Sequence, residues 1–460
     1  MEIELPAHKR ETPFRIDPVR LGILGLGLIS GIFYFFNLEL DRFMPASLQL
    51  GGIRLYVCMA LLLNVLYFVG ARLVFKNLDR IGRSKRLVIL IVVFGVCFRA
   101  ALVPSDPDLL STDMYRYVWD GRVQQHGINP YAYAPSAEQL STLRDDTIYS
   151  RMNRKEYPTI YPAGAQLFFR LFHGLVGDSV AGFKGMLVFF EMLTMLALVS
   201  TLRAYGLPDA RIFIYAWNPL VIFEIGYGGH VDGLAVFFTV LAFYLDAKKR
   251  KLPAVVALAI SSATKLYPAI LLPALLTRGE WVKGAIGFFA SFLLLYLPFF
   301  AVGGKLIGFL PNYFTSPYES FNLGLKYLVT ALFPELDYVL VSKIFVLVLM
   351  AAGLLVFFKK KPNGQAVRHA YVLIGLLIIL MPTALHPWYV VVLVPFLCFF
   401  PSAAWLIFTC MVTLSYLYYA PDVDDQPVWV TLLEYVPLFA LLAAEYVFKR
   451  LARPNEVARV

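Results

Sequence analysis

The feature that most constrains this chain is a succession of apolar runs, each long enough to cross a bilayer, which takes about 17 to 25 residues in a helix. They begin near Leu21, Ile53, Leu87, Gly182, Arg211, Val231, Pro253, Val282, Tyr338, Ala366, Tyr389, Ser402 and Val428. With 59% hydrophobic residues, 16% charged residues and a mean hydropathy of +0.67, the chain lies well outside the balance of a soluble domain. The expected fold class is all-α: a polytopic integral membrane protein of about 12 to 14 transmembrane helices, with juxtamembrane helices in one large outer loop. Residues 1–20 are a charged tail without an apolar core or a small-residue cleavage site, so the Leu21 run is expected to be its own signal-anchor.

The net charge of +10 lies between the apolar runs, in clusters at Lys76–Arg86, Lys248–Lys251, Lys359–Arg368 and Lys449–Arg453. By the positive-inside rule these are cytoplasmic, and the basicity encodes orientation rather than a nucleic-acid partner. Residues 104–180 then lie outside, as do the links at 227–230, 302–326, 386–388 and 421–427. The alternation fails at PAVVALAISSATKLYPAILLPALL (253–276), which as a single crossing would strand Arg278 and Lys283 outside. A broken hairpin over 253–277, entering and leaving by the cytoplasmic face with its tip at Ala263 to Tyr267, restores it. Irregular backbone at membrane depth is tolerated only against protein or a watery cavity, so Lys265 at the tip would face a cavity. A single span with a snorkelling Lys265 is the alternative. The expected organisation is a cytoplasmic tail (1–20), one transmembrane domain (21–448) and a second cytoplasmic tail (449–460). Cys58, Cys97, Cys398 and Cys410 sit inside apolar runs without CxxC spacing, which supports neither a disulfide framework nor a zinc site.

Under this topology the unusual polar residues gather on the outer side. The loop SDPDLLSTDMYRYVWDGRVQQHGINPYAYAP (105–135) places Asp113, Arg116, Tyr117 and Asp120 at i, i+3, i+4 and i+7, one face of a helix if Ser111 or Thr112 caps it. Arg122, Asn129, Tyr131 and Tyr161 follow in the same loop. His230 and Asp232 stand in GYGGHVDG, Asn322 in SFNLGLK, and His386 and Trp388 in HPWY. Each has a plainer reading: an interfacial helix, a helix cap, rigid Tyr-Pro turns, an aromatic belt. Together they suit a carbohydrate and phosphate cavity, with rings for sugar faces, cations for phosphate oxygens, and a carboxylate to orient or deprotonate a hydroxyl. There is no GxGxxG, no P-loop and no strand-rich segment for a nucleotide-binding sheet. Nor is there an inverted pair of broken helices, which weakens a transporter reading.

The run STDMYRYVWDGR, followed by GINPY (127–131) and TIYPAG (159–164), resembles the polyprenyl-phosphate-sugar-dependent glycosyltransferases of the GT-C fold, in particular family 87 and related bacterial mannosyltransferases. NPLVIFEIGYGGHVDGLAVFF, SSATKLYPAILLPALL and ALHPWYVVVLVPFL are similar to the same group, so the resemblance spans about residues 85 to 400. It implies an inverting enzyme of the bacterial cytoplasmic membrane, working at the extracytoplasmic face. A hexose, mannose in this group, would move from a polyprenyl-phosphate donor to a hydroxyl of a lipid-linked or surface glycan. The catalytic carboxylate carried over is Asp113. Arg116, Arg122, Lys265 and His230 are the expected donor-phosphate ligands, and Tyr117, Asp120, Asn129, Tyr131, Tyr161, Asp232, Asn322, His386 and Trp388 the expected substrate contacts. No cofactor is assigned with certainty, and a divalent cation (Mg or Mn) is left open. A lipid-linked sugar flippase, or a glycan ligase or polymerase with a diphosphate-linked donor, are the alternatives.

Overall fold

A computed structural model describes residues 17–36, 52–307, 321–359, 366–420 and 428–452, all of them helical or irregular with no strand among them. The expected tails at 1–20 and 449–460 fall almost wholly outside the described residues. In chain order the helices that organise the fold are α1 (Pro18–Phe36), α2 (Gly52–Lys76), α3 (Lys85–Leu102), α4 (Asp113–Gln125), α5 (Ala163–Val176), α6 (Val180–Ala204), α7 (Asp232–Ala247), α8 (Lys251–Thr264), α9 (Trp281–Tyr296), α10 (Leu325–Leu332), α11 (Tyr338–Lys359), α12 (Ala366–Ile379), α13 (Ala403–Met411) and α14 (Val428–Ala452).

Among the described residues six helices are long and apolar enough to cross a membrane, and four apolar helical stretches are shorter. The expected count of 12 to 14 spans therefore resolves into a mixture of full crossings and broken elements, and proline accounts for much of the breakage. The run from Arg211 is the clearest case. It becomes a 3-10 turn (Asp209–Ile212), a four-residue helix, a break at Trp217 and Asn218 ahead of Pro219, and a π-helical turn at Ile222–Tyr227. Residues 212–236 are buried without interruption, so this irregular backbone forms the axis of the molecule and never meets lipid.

The carbonyls freed by the break are satisfied by side chains. Tyr67 on α2 donates to Ile214 O at 3.0 Å; Arg99 on α3 donates to Ala216 O at 2.8 Å and to Tyr215 O at 3.5 Å. Arg99 is fully buried and pairs through Nε with Glu191 on α6 at 3.0 Å, and Tyr215 donates to the same carboxylate at 2.7 Å. Asn218 caps the chain that resumes, accepting from Val221 N, and its amide donates to Thr409 on α13. Lys184 on α6 does the same for the end of α3, donating to Leu102 O and Ser105 O.

The segment around α8 turns back on itself. After Thr264 the chain is extended at Lys265, then runs through a 3-10 turn (Tyr267–Leu271) and a helical turn (Leu272–Leu275) with prolines at 268 and 273. Lys249 and Lys251 before α8, and Thr277, Glu280 and Lys283 after the return, line one cavity, so both ends meet on the same side. The tip packs so closely on the start of α5 that a Cβ on Gly164 would lie 2.7 Å from the Ala263 backbone. The turns at 77–84 and 205–210 lie beside each other, joined by Ala210 N to Gly82 O and Arg83 to Gly206 O.

Breaking the Arg99 ion pair on one side leaves the buried Glu191 charge without its countercharge, held by Tyr215 alone, and takes the Arg99 donor from the Ala216 carbonyl. Arg99→Leu is expected to destabilise the protein by about 3 to 5 kcal/mol, read as a large fall in melting temperature of the detergent-solubilised protein. A melting temperature within error of the wild type would remove Arg99 as the fastener of the break.

Candidate active site

α4 starts where Ser111 Oγ accepts from Asp113 N at 3.2 Å, and this puts Asp113 in the first turn of the helix, where its charge is favoured. Asn153, returning from the far part of the loop, donates its amide to Asp113 Oδ1 at 2.9 Å. Burial pushes the Asp113 carboxyl up, but His230, the Asn153 hydrogen bond, Lys265 and His386 outweigh it and hold the group below the usual carboxylate value. A cavity of about 390 Å³ opens in front of it, walled by Asp108 to Asp113, Asn153, Arg154, Ile160, Tyr161, Lys265, His386, Trp388, Tyr389 and Tyr419.

A second cavity, about 410 Å³ and mostly apolar, adjoins the first and shares Ile160, Tyr161, Lys265 and Tyr389 with it. Its remaining wall is Pro162, Leu266, Tyr267, Ile270, Val346, Leu377, Met381, Pro382 and Thr383. Lys265 therefore stands at the junction of a polar and an apolar chamber. Its ammonium lies 5.4 Å from the ring centres of both Tyr161 and Tyr389, and 3.2 Å from Asp232 Oδ2. Asp232 is fully buried and also accepts from Tyr267 O–H at 2.8 Å, so it anchors the hairpin tip from the start of α7.

Behind the polar cavity the aromatic side chains form a series of stacked pairs. His230 stacks on Trp388 at 3.9 Å, Trp388 on His386 at 4.3 Å, His386 on Phe321 at 4.8 Å and Phe321 on Tyr419 at 5.0 Å. The inner end meets Glu224 on the π-helical turn, whose Oε2 is 3.4 Å from His230 Nε2 and whose carboxylate accepts from Tyr416 O–H. The outer end, Tyr419, is 47% exposed and reaches the cavity rim.

Asp113, Tyr161, Lys265, His386 and Trp388 from the expected set thus line one cavity, with Asp232 and His230 one contact behind it. Others are placed differently. Arg116 and Arg122, expected on the donor phosphate, spend their guanidinium groups inside the loop. Arg116 pairs with Asp120 at 2.9 Å and donates to the carbonyls of Arg154 and Tyr157. Arg122 pairs with Asp145 and Asp178 and donates to Leu143 O. The loop cation on the cavity wall is Arg154, with a left-handed φ of 49°. Asp120, expected to touch substrate, accepts from Arg116, Thr159 and Gln166 and is the hub of the loop's interior. Tyr117 is buried in stacked contact with Phe169. Asn129 donates to Phe299 O and Tyr131 packs edge-on against the Phe299 ring, so both fasten the loop to the chain after α9, while the Tyr131 hydroxyl donates to Tyr161 O within the loop. Asn322 is buried with its amide on both oxygens of Glu434 of α14; it holds Phe321 in the stack rather than lining the cavity. Asn153, Arg154, Tyr389 and Tyr419 were not singled out from sequence. The run NRKEYP just ahead of TIYPAG is the signal that could have found the first two.

Among the described residues no group of three or more His, Cys, Asp and Glu side chains converges to hold a metal by protein ligands alone. Asp106 and Asp108, the nearest carboxylates in sequence, are both engaged by Arg151.

The family model for alpha-(1->6)-mannopyranosyltransferase, N-terminal domain (MptA/B family) matches residues 35–278 of the 460. The chain belongs to this family. It is therefore a membrane mannosyltransferase, with a sugar donor and a glycan acceptor. No curated protein matches the chain. The family match supplies Asp113, Asn153, Arg154, Tyr161, Asp232 and Lys265, whereas His386, Trp388, Tyr389 and Tyr419 close the cavity from beyond it.

The loop's own order depends on Arg122 and its two carboxylates. Burial raises Asp145 and Asp178, but Arg122 overrides it for both, helped by the Tyr149 and Ile148 N–H groups at Asp145 and by His173 at Asp178; both carboxyls end below their ordinary value. Groups lowered by folding stabilise above their unfolded pKa and lose that contribution as pH falls through the folded one. Amide-exchange protection over residues 113–178 is thus expected to hold level down to about pH 4 and to fall below it. Asp120→Asn should lower the same protection at neutral pH, because Arg116 loses its charged partner. Loss of protection already near pH 6 would contradict this assignment.

Proposed function

We propose that the protein transfers mannose from a polyprenyl-phosphate donor to a hydroxyl of a lipid-linked or surface glycan, with inversion at the anomeric carbon, on the extracytoplasmic side of the membrane. The observation that carries this reading is the position of Lys265 where the polar and apolar cavities meet. An amphiphile with an anionic head would set its isoprenoid chain in the apolar chamber, its phosphate at Lys265 and its sugar beside Asp113. Basic clusters lie at the hairpin ends, away from Lys265, and by the positive-inside rule that end is cytoplasmic. Nucleotide sugars are not available on the other side, so a lipid-borne donor suits the location.

Asp113 acts as the general base. Held ionised by its surroundings, it accepts the proton of the acceptor hydroxyl as that oxygen bonds to the anomeric carbon from the face opposite the phosphate. The bond from the anomeric carbon to the phosphate oxygen breaks, and polyprenyl phosphate leaves with the electron pair. Lys265 and Arg154 stabilise the charge that develops on it, so no general acid is needed. Asp232 and the two flanking tyrosines keep the Lys265 ammonium at the chamber boundary. The Trp388 and His386 rings form the wall against which a sugar face can rest.

Asp113→Asn keeps the Asn153 contact possible while removing the base, and turnover with a synthetic polyprenyl-phosphate mannose should fall about 10²-fold or more at unchanged melting temperature. In the wild type the acid limb of the rate should lie below about pH 4, since Asp113 is lowered rather than raised. Lys265→Met should cost about 10-fold or more in kcat/KM for the lipid donor. A wild-type rate for Asp113→Asn would end the proposal, and Lys265→Met with unaltered donor kinetics would move the phosphate elsewhere.

A further inference from the structure

We propose that the cavity at the ends of the hairpin is a binding site for an anionic phospholipid of the cytoplasmic leaflet. It measures about 310 Å³ and is walled by Lys249, Lys251 and Lys283 together with Leu252, Val255, Leu275 and Leu276. The hairpin arm α8 has 14 residues. At 1.5 Å per residue it separates this cavity from Lys265 by about 20 Å, so it is distinct from the catalytic chamber.

Three observations point to an amphiphile with an anionic head. The first is charge. Lys249 has no ion-pair partner among the described residues, and Lys283 stands 3.9 Å from Glu280 with both side chains largely exposed. Lys251 pairs with Asp246. Two ammonium groups are therefore free or nearly free at one opening, and Lys249 is held there in the left-handed region, at a φ of 60°. The second is the backbone. α8 and α9 both begin at this cavity and neither has a side-chain cap, so the first-turn N–H groups of two helices add positive potential to the lysines. The third is the floor. It is leucine and valine, and the helices that flank it carry exposed Leu252, Trp281 and Val282, at 58%, 49% and 48%. A free phosphate would have no use for that floor, whereas an acyl chain would cover it. Basic pockets between transmembrane helices on the cytoplasmic side take lipid head groups for this reason.

The site also has a structural consequence. A lipid bridging Lys249 and Lys283 would tie the outgoing end of the hairpin to its incoming end, and so brace the arm that carries Lys265. This proposal does not depend on the donor assigned above.

The test uses the full-length protein in nanodiscs of phosphatidylcholine, with and without phosphatidylglycerol, reading lipid retained by native mass spectrometry and amide exchange over 249–255 and 277–284. Phosphatidylglycerol should be retained and should slow exchange at both segments. In Lys249→Gln/Lys283→Gln, whose side chains are exposed and not needed for folding, retention should weaken about 10-fold or more. A control at the same end, Lys76→Gln/Lys85→Gln, should keep it. Mannosyl transfer in phosphatidylcholine should be the same for all three proteins. Equal loss in the control would reduce the effect to diffuse surface charge and overturn the site, as would undiminished retention in the first variant. Equal protection by soluble glycerol phosphate would also overturn it, because the ligand would then not be a lipid.

Discussion

Backbone that breaks at membrane depth must find its hydrogen bonds inside the protein, and in this chain the pairing of Arg99 with Glu191 is what makes one such break possible. Arg99 reaches across from α3 to the carbonyls left open at Tyr215 and Ala216, Tyr67 takes Ile214, and Asn218 restarts the helix. A cation at that depth is costly unless every donor is used; Arg99 Nε, Nη1 and Nη2 all have acceptors. The benefit is positional. A straight helix from Arg211 could not carry both the buried axis at 212–227 and the tight Gly228–His230 turn that delivers His230 and Asp232 to the base of the cavity. The same device recurs at Lys184, which closes the end of α3 and supports the start of the outer loop.

The catalytic chamber is then assembled from parts with separate fasteners. Asp113 and Arg154 come from a loop whose interior is a continuous polar network through Arg116, Asp120, Thr159 and Gln166. Lys265 comes from the hairpin, held by Asp232 and by the close approach of Gly164 to Ala263. The stacked rings other than His230 come from the last third of the chain, with Phe321 held through Asn322 and Glu434. In the function proposed above, each part places one kind of chemistry: a base, a phosphate cation, a sugar wall. Since the family match ends at residue 278, Asp113, Arg154 and Lys265 belong to the matched portion and most of the ring wall to the remainder.

Much of this was legible in sequence for a physical reason: polar residues in an apolar chain are expensive, so where they occur they mark a site. Asp113, Tyr161, Lys265, His386 and Trp388 stand out that way and line one cavity, and the parity of positive charges points to a hairpin at 253–277. The loop cations were misassigned because spacing shows which residues share a helix face and not what that face meets. Arg116 and Asp120 share a face that turns inward, and Arg122 meets Asp145 and Asp178 far along the chain. Arg154 sits in an irregular stretch where no periodicity exists to read. Asn322 reads as a ligand because its partner, Glu434, lies 112 residues further along in an apolar helix. Which apolar runs are unbroken crossings is not legible from composition, which measures how apolar a segment is: residues 212–236 are apolar, yet broken and buried in protein.

The account rests on one claim, that a lipid phosphate sits where the two chambers join. A cryo-electron microscopy map of the protein with bound polyprenyl-phosphate mannose tests it most directly. Density for the phosphate within hydrogen-bonding reach of Lys265 Nζ, the isoprenoid chain running past Ile270 and Leu377, and the mannose facing Asp113 is the expected result. Phosphate density at Arg122, or at the opposite end of the hairpin among Lys249, Lys251 and Lys283, would contradict it.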